Sequence, residues 1–391
     1  MGAIRDEILA LRFSGITRIA IEGLDDPDVI PLWFGESDIV TPSFISDAAK
    51  QALDEGMTFY NYARGHMPLR EALRRYHQRI YNIDLDPDRI TVPGSTMLSV
   101  LSAGQCLLDK GDECLMVTPC WPNITTVVET IGAKPVEVRL QENATGWSLD
   151  LAELKAAITP KTKAIYINSP SNPTGWVATM AELQAVLDIA REHGLGIIAD
   201  EVYHRNLYDG RPAAPSFVEI ASHDDPVFIL NGFSKAWAMT GWRLGWMITP
   251  PSLAEAMAVL SECNNTGATS FTQYGGVAAL DQGEEFIASF IERCRTNRQT
   301  VMEVLGDHPK LSMREPEGSF YAFPQIAPEA ISGFSDGLAF ARAARDRKQV
   351  GIAPGYTFGK GNERHVRMCF AIEPSRFRDA VSHIRDLLDG V

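Results

Sequence analysis

Short apolar runs alternate with longer segments of helical period through most of the chain. Glu113–Thr118, Lys134–Val138, Ala164–Ile167, Gly196–Ala199, Pro226–Leu230 and Leu244–Ile248 have the length and composition of strands. Between them lie patterns such as Met180–Glu192, where Leu183, Val186, Leu187 and Ala190 recur at three- and four-residue steps. Continuous apolar strands with helical crossovers predict an α/β fold whose central sheet is mostly parallel and flanked by helices on both faces. After about residue 284 the pattern changes to long helices, Glu284–Leu305, Gly337–Arg347 and Arg376–Leu388, with short strands between them. That change predicts a smaller α+β domain over 284–391, following a large domain that ends near 283.

Composition narrows the partners. The 391 residues carry 36 Lys and Arg against 50 Asp and Glu, a net charge of −14, which argues against nucleic acid or an anionic membrane as a partner. No stretch approaches the 18 apolar residues that cross a bilayer, and charges interrupt the N-terminus where a secretory signal needs an apolar centre. The six cysteines are scattered without a CxxC pair, and the eight histidines show no ligand spacing. These features predict reduced thiols, a cytoplasmic protein and no metal site.

In parallel sheets, ligands gather beyond the carboxyl ends of the strands. After Ala164–Ile167 comes Asn168-Ser-Pro-Ser-Asn172-Pro-Thr-Gly175. After Gly196–Ala199 comes Asp200-Glu201-Val202-Tyr203. After Pro226–Leu230 comes Asn231-Gly-Phe-Ser234-Lys235, with Arg243 eight residues further on in Thr-Gly-Trp-Arg-Leu-Gly. Singly, each has an ordinary explanation as a turn, a helix cap or a solvated charge. Jointly they place a lysine, a carboxylate, a phenol, an amide and a guanidinium at one edge of the sheet.

With SPSNPTG, ADEVY and SK followed by GWRLG in this order and spacing, the chain resembles fold-type I pyridoxal 5'-phosphate (PLP) enzymes, specifically the class I/II aminotransferases similar to aspartate aminotransferase. The resemblance runs from Gly35-Glu-Ser-Asp38 to His365-Val-Arg367. It implies a large PLP-binding domain over 46–283, a C-terminal small domain over 284–391, and a segment, 1–45, that packs with the small domain. It also implies a homodimer with two shared active sites.

By that resemblance Lys235 carries PLP as a Schiff base and moves the substrate's α-proton. Asp200 holds the pyridine nitrogen's proton, and Tyr203 and Asn172 bond the ring's phenolic oxygen. Lys235, Asp200 and Tyr203 are the catalytic set. The cofactor's phosphate falls to Gly94, Ser95 and Thr96 at a helix start, with Ser234 and Arg243, while Trp121 stacks on the ring. In Phe59-Tyr-Asn-Tyr-Ala-Arg-Gly65, the position relative to Gly65 favours Tyr60 as the residue that reaches the neighbouring subunit's phosphate. The substrate α-carboxylate falls to Arg367, assisted by Asn172 and the backbone of Gly35.

Two departures stand out: Gly232 occupies a position where the family often has serine, and Gly35-Glu-Ser-Asp-Ile replaces Gly-Glu-Pro-Asp-Phe. Gly194-Leu-Gly-Ile-Ile-Ala199 has the letters of a dinucleotide fingerprint but overlaps a strand, so it is set aside. The Gly355-Tyr-Thr-Phe-Gly359 segment resembles the family's turn near the substrate. The expected activity is transfer of an amino group from an L-amino acid to a 2-oxo acid by ping-pong chemistry. Alternatives are a C–S β-lyase or other PLP reaction, and, from a different class, a non-catalytic sensor of PLP or an amino acid. Arg64 is a candidate ligand for a dicarboxylate side chain, with a solvated loop arginine as the alternative. A small or dicarboxylic donor with 2-oxoglutarate as acceptor is the corresponding expectation.

Overall fold

Seven strands form the central sheet of the computed structural model, which describes residues 4–328 and 336–390. They are β1 (Ile90–Gly94), β2 (Glu113–Thr118), β3 (Lys134–Arg139), β4 (Thr162–Asn168), β5 (Gly196–Asp200), β6 (Val227–Gly232) and β7 (Gly245–Ile248). Across the sheet their order is β1-β7-β6-β5-β4-β2-β3. β7 runs against both its neighbours, and the pairs from β6 to β3 are parallel.

Six of these strands overlap the apolar runs of the sequence; β1 is an addition. Its residues, Ile-Thr-Val-Pro-Gly, include a proline and a glycine, which weaken a strand pattern. As an edge strand β1 tolerates Pro93, because a missing N–H costs least where no further strand follows.

Alternation along the strands fills two cores. Leu115, Ile165, Ile197 and Ile229 belong to one hydrophobic cluster, while Met116, Tyr166, Ile198, Phe228 and Leu230 belong to another. Adjacent residues thus face opposite sides, as the two-residue period of a strand requires. The helix Met180–His193 begins on a Thr179/Glu182 capping box and ends at Gly194 in the left-handed region. Gly196 then opens β5, where a Cβ would stand 2.4 Å from the Leu107 side chain. The two glycines of the fingerprint-like segment therefore end a helix and clear a packing contact.

The C-terminal helices Glu284–Leu305, Gly337–Lys348 and Pro374–Asp389 surround a three-stranded sheet of Tyr321–Ala322, Val366–Cys369 and Ala353–Pro354. Phe290, Phe340, Val366, Met368 and Phe377 share a separate core there. Ile30 and Pro31 pair in parallel with Val350 and Gly351, and Glu22 bonds Arg342 and Arg345. The helix Gly15–Ile21 lies so close to the turn Gly355–Phe358 that a Cβ on Gly15 would meet Thr357 at 2.3 Å. On the opposite side, Arg205 after β5 grips Glu284 through two hydrogen bonds, of 2.9 and 2.6 Å. No helix of the described residues is long and apolar enough to cross a membrane.

Candidate active site

The carboxyl ends of β4, β5 and β6 lead into a cavity of about 490 Å3. Gly35, Thr96, Trp121, Asn172, Asp200, Tyr203, Ser234, Lys235, Arg243 and Arg367 all line it.

Strand register explains the depth of the carboxylate. Asn168 ends β4 directly beside Asp200 at the end of β5, and donates through Nδ2 to the Asp200 carbonyl at 2.9 Å. The Asp200 side chain is 4% exposed; its Oδ2 accepts from the Tyr166 hydroxyl at 2.8 Å and its Oδ1 from the Val202 N–H at 3.3 Å. Among the described residues it has no salt-bridge partner. Burial raises its pKa above the usual aspartate range, partly offset by those two hydrogen bonds.

Lys235 follows β6 and donates from Nζ to the Gly35 carbonyl. Burial lowers its pKa from 10.5 to about 8. Its Nζ lies 5.7 Å from the centre of the Tyr203 ring. A Cβ on Gly35 would collide with the Tyr321 hydroxyl at 2.0 Å, so only glycine lets this backbone reach the lysine.

At the other end, Ser95 caps the helix Thr96–Leu107, and Thr96 Oγ1 donates to the Asn231 carbonyl at 3.0 Å. Gly94 turns the chain into that cap with a φ of 127°. Gly94 and Ser95 shape the turn but are outside the cavity lining. The Gly232 departure has a geometric reason: a Cβ there would sit 2.2 Å from Thr96 Oγ1. The threonine hydroxyl fills the space a serine side chain would need. Arg243, itself at a φ of 52°, donates to the Thr240 carbonyl at 2.6 Å.

Arg367 is 2% exposed and is oriented from several sides. NH1 donates to Asn172 Oδ1 at 2.9 Å, and NH2 donates to the Trp33 carbonyl. The ring centres of Tyr321 and Phe358 lie 4.5 and 5.0 Å from its guanidinium carbon. Asn172 is itself fixed by Asn168, whose Oδ1 accepts the Asn172 N–H at 2.7 Å.

Tyr60 is 91% exposed and stands outside the cavity of its own chain. Arg64 is neither a solvated arginine nor a cavity residue. It donates to Thr91 Oγ1 and to the carbonyls of Pro87, Asp88 and Ile90, spending its fork on its own chain. Several lining residues carry no assigned role in the sequence reading: Ser14, Ile16, Phe34, Glu36 and Tyr321 among them. Asn168 was visible beside Asn172 in one motif, but Tyr321 lies in an apolar run with nothing to mark it.

A helix-flanked, mostly parallel sheet with a lysine-bearing cavity at its carboxyl edge is the architecture of a fold-type I enzyme. It is shared with an aspartate aminotransferase of Thermus thermophilus at a TM-score of 0.90 and 29% identity, over 99% of this chain and 100% of that one. The chain belongs to the aminotransferase class I and II family, whose model matches residues 27–384; the family uses PLP. It is 31% identical to an aspartate aminotransferase of Pyrococcus horikoshii, over 99% of this chain and 97% of that protein. It is 35% identical to an aspartate aminotransferase of Bacillus subtilis, over 93% and 92% respectively. The structure of an alanine aminotransferase from Pyrococcus furiosus superposes with a TM-score of 0.91 at 27% identity, covering 99% of this chain and 100% of that one. The chain is a PLP-dependent aminotransferase.

Proposed function

We propose that this aminotransferase moves an amino group from an L-amino acid to a 2-oxo acid in two half-reactions, with Lys235 as the cofactor's lysine. The observation that carries the reading is a lysine amine held partly neutral in one cavity with Asp200, a buried carboxylate without a cation, and two arginines. That donor set fits PLP: a carboxylate for a protonated ring nitrogen, and Thr96, Ser234 and Arg243 with the backbone of Gly94 and Ser95 for a phosphate. When bound, PLP supplies an electron sink at the α-carbon and a temporary carrier for nitrogen.

The chain's own residues then have distinct tasks. Lys235 Nζ, neutral at moderately alkaline pH, accepts and returns the α-proton. Asp200 keeps a proton on the ring nitrogen, while Tyr203 and Asn172 donate to the phenolic oxygen. Trp121 covers the ring. Arg367 clamps the substrate's α-carboxylate, its plane set by Tyr321 and Phe358 and its NH1 by Asn172.

The working unit in this reading is a homodimer in the reducing cytoplasm. Tyr60, exposed together with Phe59 and Tyr62, reaches the phosphate of the neighbouring copy. All six cysteines are free, in keeping with a reducing compartment. Residues 1–45 pack with the small domain, 284–391, beside the large domain, 46–283, a division that the strand pairing of Ile30 with Val350 supports. The test is a donor half-reaction without acceptor: holoenzyme releases one 2-oxo acid per bound cofactor and no ammonia.

A further inference from the structure

The cavity's charges indicate which amino acids it accepts. Among the described residues, its only lining cations are Lys235, Arg243 and Arg367. In the proposed transamination, on which this inference rests, all three are committed: to the cofactor's carbonyl carbon, its phosphate and the substrate's α-carboxylate. A second carboxylate on the substrate would find no cation on this chain.

Arg64 and Arg12 are spent on their own chain, and Arg18, on the helix of Ile16, is exposed and outside the lining. Arg64 is bonded to Thr91, Pro87, Asp88 and Ile90, so a Tyr60 loop arriving from another copy would bring aromatic rings without a free guanidinium. Arg12, two residues before Ser14, donates to the carbonyls of Leu9 and Leu11. The lining hydroxyls at the N-terminal segment also satisfy each other: Ser14 Oγ accepts the Thr17 N–H at 3.2 Å and lies 3.1 Å from Thr17 Oγ1.

The rest of the lining is apolar, neutral polar (Asn123, Asn168 and Thr240 among others) or negative, without a further cation. Ile16, 8% exposed, lines the cavity from the helix Gly15–Ile21, with Phe34, Met97 and Trp121. The single further charge is Glu36, whose Oε2 accepts from Thr240 Oγ1 at 3.1 Å. A side-chain carboxylate entering here would meet no counter-charge and would approach the exposed Glu36 carboxylate, an unfavourable combination.

We propose that donors and acceptors of this enzyme are monocarboxylic acids with uncharged, apolar side chains, and that Ile16 helps exclude the second carboxylate of aspartate and glutamate. The selectivity would then differ from that named for the aspartate aminotransferases it resembles. Close approach of Gly15 to Tyr356 and Thr357 packs the start of this helix, and with it Ile16, against the turn Gly355–Phe358.

Stopped-flow half-reactions of the holoenzyme with L-alanine, L-leucine, L-phenylalanine, L-aspartate, L-glutamate and L-arginine test this. The best uncharged donor should exceed aspartate, glutamate and arginine at least tenfold in kcat/KM. Ile16→Arg, with its cofactor spectrum intact, should raise aspartate or glutamate relative to leucine at least tenfold. Aspartate, glutamate or arginine matching the best uncharged donor would overturn the inference and leave transamination standing. So would an unchanged ratio in a folded Ile16→Arg; if that variant does not fold, the wild-type ratios decide. Absence of 2-oxo acid from every donor would instead overturn the transamination reading, and this inference with it.

Discussion

The hydroxyl oxygens of Tyr203 and Tyr321 lie 2.5 Å apart, tying the loop after β5 to the small domain's Tyr321–Ala322 strand. Two phenols at that distance share one donated proton. If Tyr203 spends its own proton on the cofactor's phenolic oxygen, Tyr321 must be the donor to Tyr203, and an accepted hydrogen bond strengthens the next one given.

Tyr321→Phe keeps the ring beside Arg367 and removes only the hydroxyl that donates that proton. The pKa read from the holoenzyme's visible absorbance should rise by roughly half to one unit, the worth of a typical hydrogen bond. KM for amino donors should change little. An unchanged absorbance pKa would show that Tyr203 acts without Tyr321.

Lys235 makes a pH-dependent prediction. Burial favours the uncharged amine and lowers its pKa to about 8, so the nucleophilic form grows as pH rises towards that value and saturates above it. Capture of added PLP by the apoenzyme should accelerate about tenfold per pH unit below pH 8 and level off beyond it. A rate still climbing at the same slope through pH 9 and 10 would place the lysine at its ordinary value.

The Thr96–Gly232 contact predicts a compensated pair. Gly232→Ser must push Thr96 Oγ1 from the Asn231 carbonyl, since the new Cβ would stand 2.2 Å from it. PLP should bind about tenfold more weakly, roughly 1.4 kcal/mol. Adding Thr96→Ala clears the space and should recover part of the loss, as read by PLP titration. Wild-type affinity in Gly232→Ser alone would contradict the packing account.

Much of the large domain was legible because its signals are local. Apolar runs of strand length marked β2 to β7, and polar motifs at the ends of β4, β5 and β6 pointed to Asn172, Asp200 and Lys235, which the fold gathers in one cavity. β1 escaped because Pro93 and Gly94 interrupt its pattern, a tolerance that only its edge position explains. Tyr166 was hidden for another reason: its ring is core while its hydroxyl serves Asp200, and no sequence pattern separates those halves. Tyr321 and Ile16 act through contacts with residues distant in the chain, so local spacing carried no trace of them. Arg64 shows the converse: a free-looking charge in the sequence is a structural clamp in the fold.

Amino transfer through Lys235 in this cavity is testable by following both half-reactions in the wild type and in a variant without the amine. Purified wild type and Lys235→Ala, each saturated with PLP, are mixed with L-leucine and then with pyruvate, and both 2-oxo acid and ammonia are quantified. The wild type should release one 4-methyl-2-oxopentanoate per active site before acceptor is added, then turn over repeatedly with pyruvate and yield no ammonia. Lys235→Ala should lose at least a thousandfold in turnover while keeping its fold and far-ultraviolet spectrum. Undiminished ping-pong transfer by Lys235→Ala would contradict the account.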